Sequence, residues 1–158
     1  MRWIRASAIK GELELPAIIS RCDGTPAELI AARSQAFTRG DFGFVYDSYH
    51  SESNFRRQFP SREEYLRYGR LHLAPEYQIL CCENLAEKIV EDEAQVVFLI
   101  EMQVRGNVRH YAELAWLRSE DHQWRYHRGQ KMTEEELPEN RQLVTFTDFA
   151  KLNPSSIY

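Results

Sequence analysis

The side chains best able to do chemistry are acids, histidines, tyrosines and one arginine that lie within apolar segments of the sequence. Glu101, which stands between Ile100 and Met102 in a hydrophobic run, must be exposed, paired or functional. Apolar surroundings shift the pKa of a carboxylate or an imidazole toward values useful for proton transfer. A buried phenol can donate a hydrogen bond to a developing oxyanion. The pocket candidates are Arg33, Tyr46, Tyr49, His50, Tyr65, His72, Glu101, Glu113 and His127.

Each candidate also has a structural interpretation, which is the simpler one in every case. A tyrosine on an amphipathic helix commonly contributes a core ring with a hydrated hydroxyl. His50 lies at a predicted helix end, where an imidazole can interact with free carbonyl groups. Arg33 falls on the apolar stripe of a predicted helix, and a buried guanidinium needs partners. We therefore expect it to pair with a carboxylate of the second helix or of the sheet, such as Asp47.

The sequence carries no motif for metal, cofactor or nucleophilic chemistry. The five histidines form no pair at i, i+4 spacing, and the adjacent Cys81 and Cys82 lack the two-residue gap of a zinc knuckle. It also lacks a glycine-rich phosphate loop and a nucleophile elbow. We predict no metal and no cofactor, and we interpret both cysteines as small strand residues.

Composition limits the classes of partner and compartment. The 158 residues are 43% hydrophobic and 28% charged, which is typical of one globular domain with appendages. A net charge of -4 gives no reason to expect nucleic acid or a membrane as partner. Three cysteines cannot all pair, and the N-terminal segment lacks a signal-like apolar run. We expect a cytoplasmic protein with an N-terminal extension at 1–24, a domain at 25–131 and a tail at 132–158.

Helix signals come first along the chain. Thr25 can cap a first helix, which Gly40 ends, and Asp41 can cap a second. Ser61 opens a capping box for a third helix, which we expect to continue to Pro75.

Strand signals begin after this helical part. The predicted strands are 77–83 with an extension toward 90, then 94–105, 108–118 and 123–131. Their connections, such as Gly106-Asn107, are short and polar. Loops this short predict an antiparallel meander, since parallel pairing needs long crossovers. A weak strand signal also occurs at 143–149 in the tail.

Helices followed by a meander predict an α+β fold. We expect three N-terminal helices packed in the concave face of a curved antiparallel sheet of four to six strands, with a pocket at the open mouth of the cone. In the third strand Glu113 shares a face with Arg109 and Tyr111, opposite the more apolar face of Ala112 and Leu114. We expect the apolar faces to form the core.

Two parts of the sequence, one in the helical region and one in the last hairpin, carry a recognisable order of short motifs. These are Arg33-Ser34-Gln35-Ala36-Phe37, Gly40-Asp41, Tyr49-His50-Ser51, Trp116-Leu117-Arg118-Ser119-Glu120-Asp121, Gln123-Trp124-Arg125-Tyr126 and Gly129. Together they resemble the YchJ-like domain of the nuclear transport factor 2-like (SnoaL-like) superfamily. The resemblance covers about residues 25 to 131. It implies the cystatin-like cone roll, a cone formed by helices inside a curved sheet.

The resemblance also sets expectations for function. Superfamily enzymes such as ketosteroid isomerase and scytalone dehydratase work with Asp, His and Tyr side chains that point into the cone. YchJ-type proteins commonly carry a flanking SEC-C zinc motif, but this sequence has no such cysteine cluster, so zinc is not implied. The family tends to have an acid before the last glycine, where this chain has His127-Arg128.

Three functional hypotheses follow. The first is a non-catalytic protein that binds a small molecule or a protein partner in the cone. The second is a cofactor-independent lyase, isomerase or hydrolase, in which a pocket carboxylate or histidine works with a tyrosine. The third is an interaction module that forms a homodimer through a sheet face.

Overall fold

The computed structural model describes residues 24–158, so the predicted N-terminal extension lies outside the described residues except for Gly24. Helices come first and a four-stranded antiparallel sheet follows, which confirms the predicted α+β class. The N-terminal helices are α1 (Pro26–Thr38), α2 (Phe42–Asp47), α3 (Asn54–Gln58) and α4 (Arg62–Tyr68), and a π-helical turn (Gly69–Leu73) continues α4.

The predicted helix caps are confirmed. The hydroxyl of Thr25 accepts a hydrogen bond from the Glu28 amide at 3.1 Å, and Asp41 accepts one from Phe44 at 3.1 Å. Ser61 caps α4 in the same way. Side-chain oxygens at these positions satisfy amide groups that have no partner within the helix.

The predicted third helix is confirmed in extent, since the chain stays helical from Arg62 to Leu73, close to Pro75, although its last turn is π-helical from Gly69. The ring of Phe42 packs so closely there that a Cβ on Gly69 would lie 2.5 Å from a ring carbon. The predicted break after His50 also contains α3, which begins where Ser53 accepts a hydrogen bond from the Arg56 amide.

The sheet is the predicted meander, with strand order β1-β2-β3-β4. Its strands are β1 (Tyr77–Val90), β2 (Glu93–Val104), β3 (Asn107–Glu120) and β4 (Gln123–Met132). Two-residue turns join them, and the last two turns have positive φ at both residues, Arg105-Gly106 and Asp121-His122. Such turns match the twist of the strands they connect.

The concave face of the sheet packs on α1. Its buried side chains include Val96, Phe98, Leu117 and Tyr126, and Ile30 of α1 lies against them. The expectation that the apolar face of β3 alone forms core was wrong, because Glu113 lies on this helix-facing side and is buried. The opposite face is covered as well, so both faces of β3 are internal.

The C-terminal tail covers part of the convex face. Phe149 and Val144 are buried there against Val97, Leu114 and Met132. The predicted strand at 143–149 was wrong, since this stretch contains a short helix, α5 (Phe146–Ala150). A capping box between Thr145 and Asp148 starts that helix.

The tail then returns to the sheet at β4. Tyr158 exchanges two backbone hydrogen bonds with Gly129, at 2.8 and 3.0 Å. This pairing carries the Tyr158 side chain toward the interior of the cone. Within residues 24–158, the structure contains no helix with the length and apolar character needed to cross a membrane.

Candidate functional site

A hydrogen-bonded carboxylate lies at the floor of the cone. The hydroxyl of Tyr126 donates to Oε1 of Glu113 at 2.5 Å, and the hydroxyl of Tyr158 donates to Oε2 at 2.6 Å. Glu113 is only 7% exposed and Tyr126 only 4%. Three segments of the chain therefore meet at one carboxylate. β3 supplies Glu113, β4 supplies Tyr126, and the C-terminal tail supplies Tyr158.

Burial sets the proton affinities of this network. Desolvation raises the pKa of Glu113 above its ordinary value, although hydrogen bonds from the two phenols and the charge of Arg33 oppose that effect. Burial and the nearby Glu113 charge raise the pKa of Tyr126 and of Tyr158 well above the ordinary value. The phenols thus keep their protons and act as donors, while the acid takes up a proton more readily than a solvated glutamate.

Gly129 makes room for the network. A Cβ at this position would lie 2.1 Å from the Tyr126 hydroxyl and 2.8 Å from Oε1 of Glu113. Both distances are shorter than any real contact allows, so the close approach requires a glycine.

Arg33 brings a positive charge to the side of the cone. Its guanidinium lies between the rings of Tyr49 and Tyr126, 4.3 Å from each ring centre, an arrangement that favours a cation. Nη1 donates to Ser48 Oγ and, at 3.4 Å, to the Val45 carbonyl. Burial works to lower the pKa of Arg33, but the neighbouring tyrosines and Glu113 outweigh it and raise the pKa, so Arg33 stays charged.

The expected ion pair between Arg33 and Asp47 was wrong. Asp47 instead accepts hydrogen bonds from Arg62 at 2.9 and 3.0 Å at the protein surface. Within residues 24–158, no carboxylate oxygen lies within ion-pair distance of Arg33. A guanidinium has five N–H donors. The bonds to Ser48 and Val45 use Nη1, and a hydrogen bond with the Tyr49 side chain also raises the pKa of Arg33, so donors remain for a ligand.

A cavity of about 110 Å³ connects Arg33 to Glu113. Its walls are mostly apolar, with Ser34 and Cys82 as additional polar groups. The apolar lining residues are Ile30, Phe37, Val45, Ile79, Phe98 and Ile100. Burial raises the pKa of Cys82 to about 12, so its thiol stays protonated at neutral pH and is a poor nucleophile.

Of the remaining tyrosine candidates, Tyr49 packs against Arg33 of the cavity wall and two belong to the helical core. Tyr49 packs on Arg33, and its ring centre is 5.3 Å from that of Tyr126. Tyr46 donates to the Phe59 carbonyl at 2.8 Å. Tyr65 is buried among aromatic rings, where burial raises its pKa.

The three histidine candidates do not line the cone cavity. His50 is buried in the segment between α2 and α3, and its Nε2 lies 3.4 Å from a carboxylate oxygen of Glu120. The ring of His127 lies 5.5 Å from that of His50. His72 is exposed and its ring packs beside that of Tyr68.

Glu101, the sharpest candidate in the sequence, faces the convex side of the sheet. Its carboxylate lies 3.1 Å from Nε2 of His110, and Nδ1 of the same ring lies 3.0 Å from Glu134 in the tail. The acid is therefore paired, and it does not meet Arg33 or Glu113.

Sequence reasoning identified Arg33, Tyr49 and Glu113 but missed Tyr126 and Tyr158. Tyr126 could have been found from its place in the last strand three residues before a glycine. No local signal marks Tyr158, because only the return of the tail places it beside Glu113. Within residues 24–158, no cluster of three or more His, Cys, Asp or Glu side chains is arranged to hold a metal ion.

The fold and its polar floor define a cone-shaped α+β domain of the nuclear transport factor 2-like class. The model of the family "YchJ, middle NTF2-like domain" matches residues 25–129, and the chain belongs to this family. The predicted resemblance is thereby confirmed.

A solved structure supports the fold. The solution structure of a SEC-C motif containing protein from Rhodopseudomonas palustris is similar, with a TM-score of 0.57 and 16% identity over 72% of this chain and 84% of that chain. At this identity the likeness concerns the fold alone. Among curated proteins, none matches the chain.

Proposed function

We propose that this protein binds a compact carboxylate-containing molecule in the cone, without catalysing a reaction. The observation that carries the proposal is Arg33, a charged guanidinium that lines an apolar cavity and has no carboxylate partner within the described residues. A half-buried cation without a carboxylate at ion-pair distance is costly. The charge of Glu113 offsets part of that cost, and an anionic ligand would offset more of it. Arginine is suited to the task because its planar fork matches a carboxylate.

The size and walls of the cavity restrict the ligand. A volume of about 110 Å³ admits only a small molecule. Phe98 and Ile100 would contact its apolar body, while its carboxylate would face the unused donors of Arg33. Glu113 already accepts hydrogen bonds on both oxygens, which supports a positioning role for this acid over a direct reaction with the ligand.

Calorimetry with matched ligands and variants tests this proposal. Butyrate and isovalerate are titrated into the protein, with butyramide as the neutral analogue of butyrate. We expect saturable binding of the acids, and a loss of about tenfold or more in affinity for the amide and for Arg33→Gln, because a charge-assisted hydrogen bond contributes about 1.5–3 kcal/mol. Arg39→Gln is the control, since Arg39 is an exposed residue at the end of α1.

Two results would count against a carboxylate site in the cone. One is equal affinity for butyrate and butyramide, which would remove the role of the charge. The other is an equal loss in Arg33→Gln and Arg39→Gln, which would reduce the effect to net charge.

The raised pKa of Glu113 favours a second candidate, a cofactor-independent enzyme. An acid desolvated in an apolar site can exchange protons with a bound substrate, and the Tyr126 hydroxyl could stabilise an enolate oxygen. This function requires Tyr158 to leave Oε2 of Glu113, so that one carboxylate oxygen becomes free.

Hydrogen exchange at carbon tests the enzymatic alternative. The protein is incubated with 2-butanone in deuterated water, and the loss of the signals of the protons next to the carbonyl is followed by NMR. An enzyme would accelerate exchange above the buffer rate, and Glu113→Gln would abolish the acceleration. Exchange at the buffer rate in both proteins would leave non-catalytic binding as the function.

A further inference from the structure

The part of the convex face that lacks the tail carries a row of side chains across all four strands. Lys88 in β1 pairs with Gln95 in β2, which pairs with Trp116 in β3. Trp116 in turn pairs with Arg128 in β4. A cavity of about 250 Å³ lies over this row, and Arg118 and His127 also line it.

An irregularity in β4 brings an extra side chain to this cavity. Trp116 pairs with Arg128 while the next residue, Leu117, pairs with Tyr126, so His127 is an additional residue in β4. Such a β-bulge redirects side chains relative to a regular strand. At this bulge two consecutive residues of β4, His127 and Arg128, both line the cavity.

The cavity is electrostatically positive. Lys88, Arg118 and Arg128 contribute three cations, while Glu93 is the acid in the wall. Glu93 lies 3.4 Å from Nε of Arg118, but both side chains are largely solvated, and such surface pairs are weak. An anionic ligand could therefore compete with Glu93 for Arg118.

The neighbouring cations also affect the pKa of His127. Burial lowers the pKa of His127, and Arg118, His50 and Arg128 lower it further, while Glu52 has the opposite effect. Trp116 also supports Arg128, whose guanidinium carbon lies 4.6 Å from the centre of the Trp116 ring. This stacking can hold the guanidinium plane in place for an oxyanion.

We propose that the cavity formed by Lys88, Arg118, His127 and Arg128 is a binding site for an oxyanion of the phosphate class. The site lies on the opposite sheet face from Arg33 and Glu113, and it is independent of the function proposed for the cone. Arg118 and Arg128 can each offer paired donors to phosphate oxygens, and Lys88 adds a point charge at the far end of the row.

The test is a titration with inorganic phosphate at constant ionic strength, with chloride as the balancing anion. Binding is followed by calorimetry and by the ring proton signals of His127 in NMR spectra. We expect saturation, an upward shift of the His127 titration midpoint in the saturated protein, and a loss of about tenfold in affinity for Arg128→Gln. Lys88→Gln, which changes an exposed side chain, should also weaken binding and serves if Arg128→Gln fails to fold.

A control variant separates this site from general charge effects. Arg39→Gln removes one exposed positive charge elsewhere. It should bind phosphate as the unmodified protein does. Absence of saturation, an unchanged affinity in Lys88→Gln, or an equal loss in Arg39→Gln would overturn the proposal.

Discussion

Glu113 shows how a single residue can depend on distant parts of the chain. Its carboxylate lies between a phenol from β4 and a phenol from the tail. Burial has the largest effect on its proton affinity, and it raises the pKa. The folded protein therefore binds a proton at Glu113 more tightly than the unfolded chain does.

This difference predicts a specific pH dependence of stability. The contribution of Glu113 is fully present below its unfolded pKa, which is near 4.5, and it is lost as the pH rises through the higher folded value. Urea unfolding at a series of pH values should show this loss in the unmodified protein and a smaller one in Glu113→Gln. Glu139→Gln, at an exposed tail position, is the control. The same pH profile in both variants and in the unmodified protein would contradict a raised pKa of Glu113.

Gly129 offers a second test at the residue scale. Gly129→Ala should lower the free energy of unfolding by about 1–3 kcal/mol, because its Cβ would overlap the Tyr126 hydroxyl. Removal of that hydroxyl relieves part of the overlap, so the same change should cost less in a Tyr126→Phe background. Denaturant unfolding of the four proteins in this cycle measures the difference. Equal costs in the two backgrounds would show that Tyr126 is not the group that Gly129 accommodates.

The elements differ in how well local sequence predicts them. The caps at Thr25, Asp41 and Ser61 were predicted because a cap depends on residues three positions apart. The meander was predicted because short polar turns join its strands. The buried face of β3 was not predicted correctly, because helices cover one face and the tail covers the other. When both faces are buried, the alternation of polar and apolar residues no longer shows which face lies in the core.

The tail helix α5 should contribute strongly to stability. Phe149 is 1% exposed against the convex face, whereas Leu143, six residues earlier in the same tail, is 67% exposed. Phe149→Ala should lower the free energy of unfolding by about 3–5 kcal/mol. Leu143→Ala should change it by less than about 0.5 kcal/mol. Similar effects of the two changes in urea unfolding would contradict the packing of α5 on the sheet.

At the level of the whole molecule, the sequence alone predicted the cone-shaped fold but only some of the side chains that lie close together inside it. Arg33 lies on α1 and Glu113 on β3, and Tyr49 follows the end of α2 by two residues, so each is close to a recognisable local signal. Tyr158 reaches Glu113 only because the tail crosses the convex face and returns to β4, and that path depends on contacts between residues far apart in the chain. Glu101 was predicted to line the pocket but lies on the convex face, because the apolar pattern of β2 is compatible with either sheet face as the core.

Association into a homodimer through a sheet face stays a prediction at this scale. The tail occupies much of the convex face, but Ile89 and Val90 at the end of β1 remain about half exposed, at 49% and 57%. Sedimentation equilibrium should give twice the chain mass of 18.6 kDa, and Val90→Lys should shift the protein toward monomer. A monomeric mass over a wide concentration range would contradict the prediction.

The position of a bound carboxylate shows whether Arg33 forms a ligand site in the cone. Isotope-filtered NMR of the labelled protein with unlabelled isovalerate reports which protein protons lie close to the ligand methyl groups. We predict nuclear Overhauser effects from those methyls to Ile30, Phe98 and Ile100 in the cone, and their loss in Arg33→Gln. Effects confined to residues outside the cone, or contacts that persist unchanged in Arg33→Gln, would contradict a carboxylate site built around Arg33.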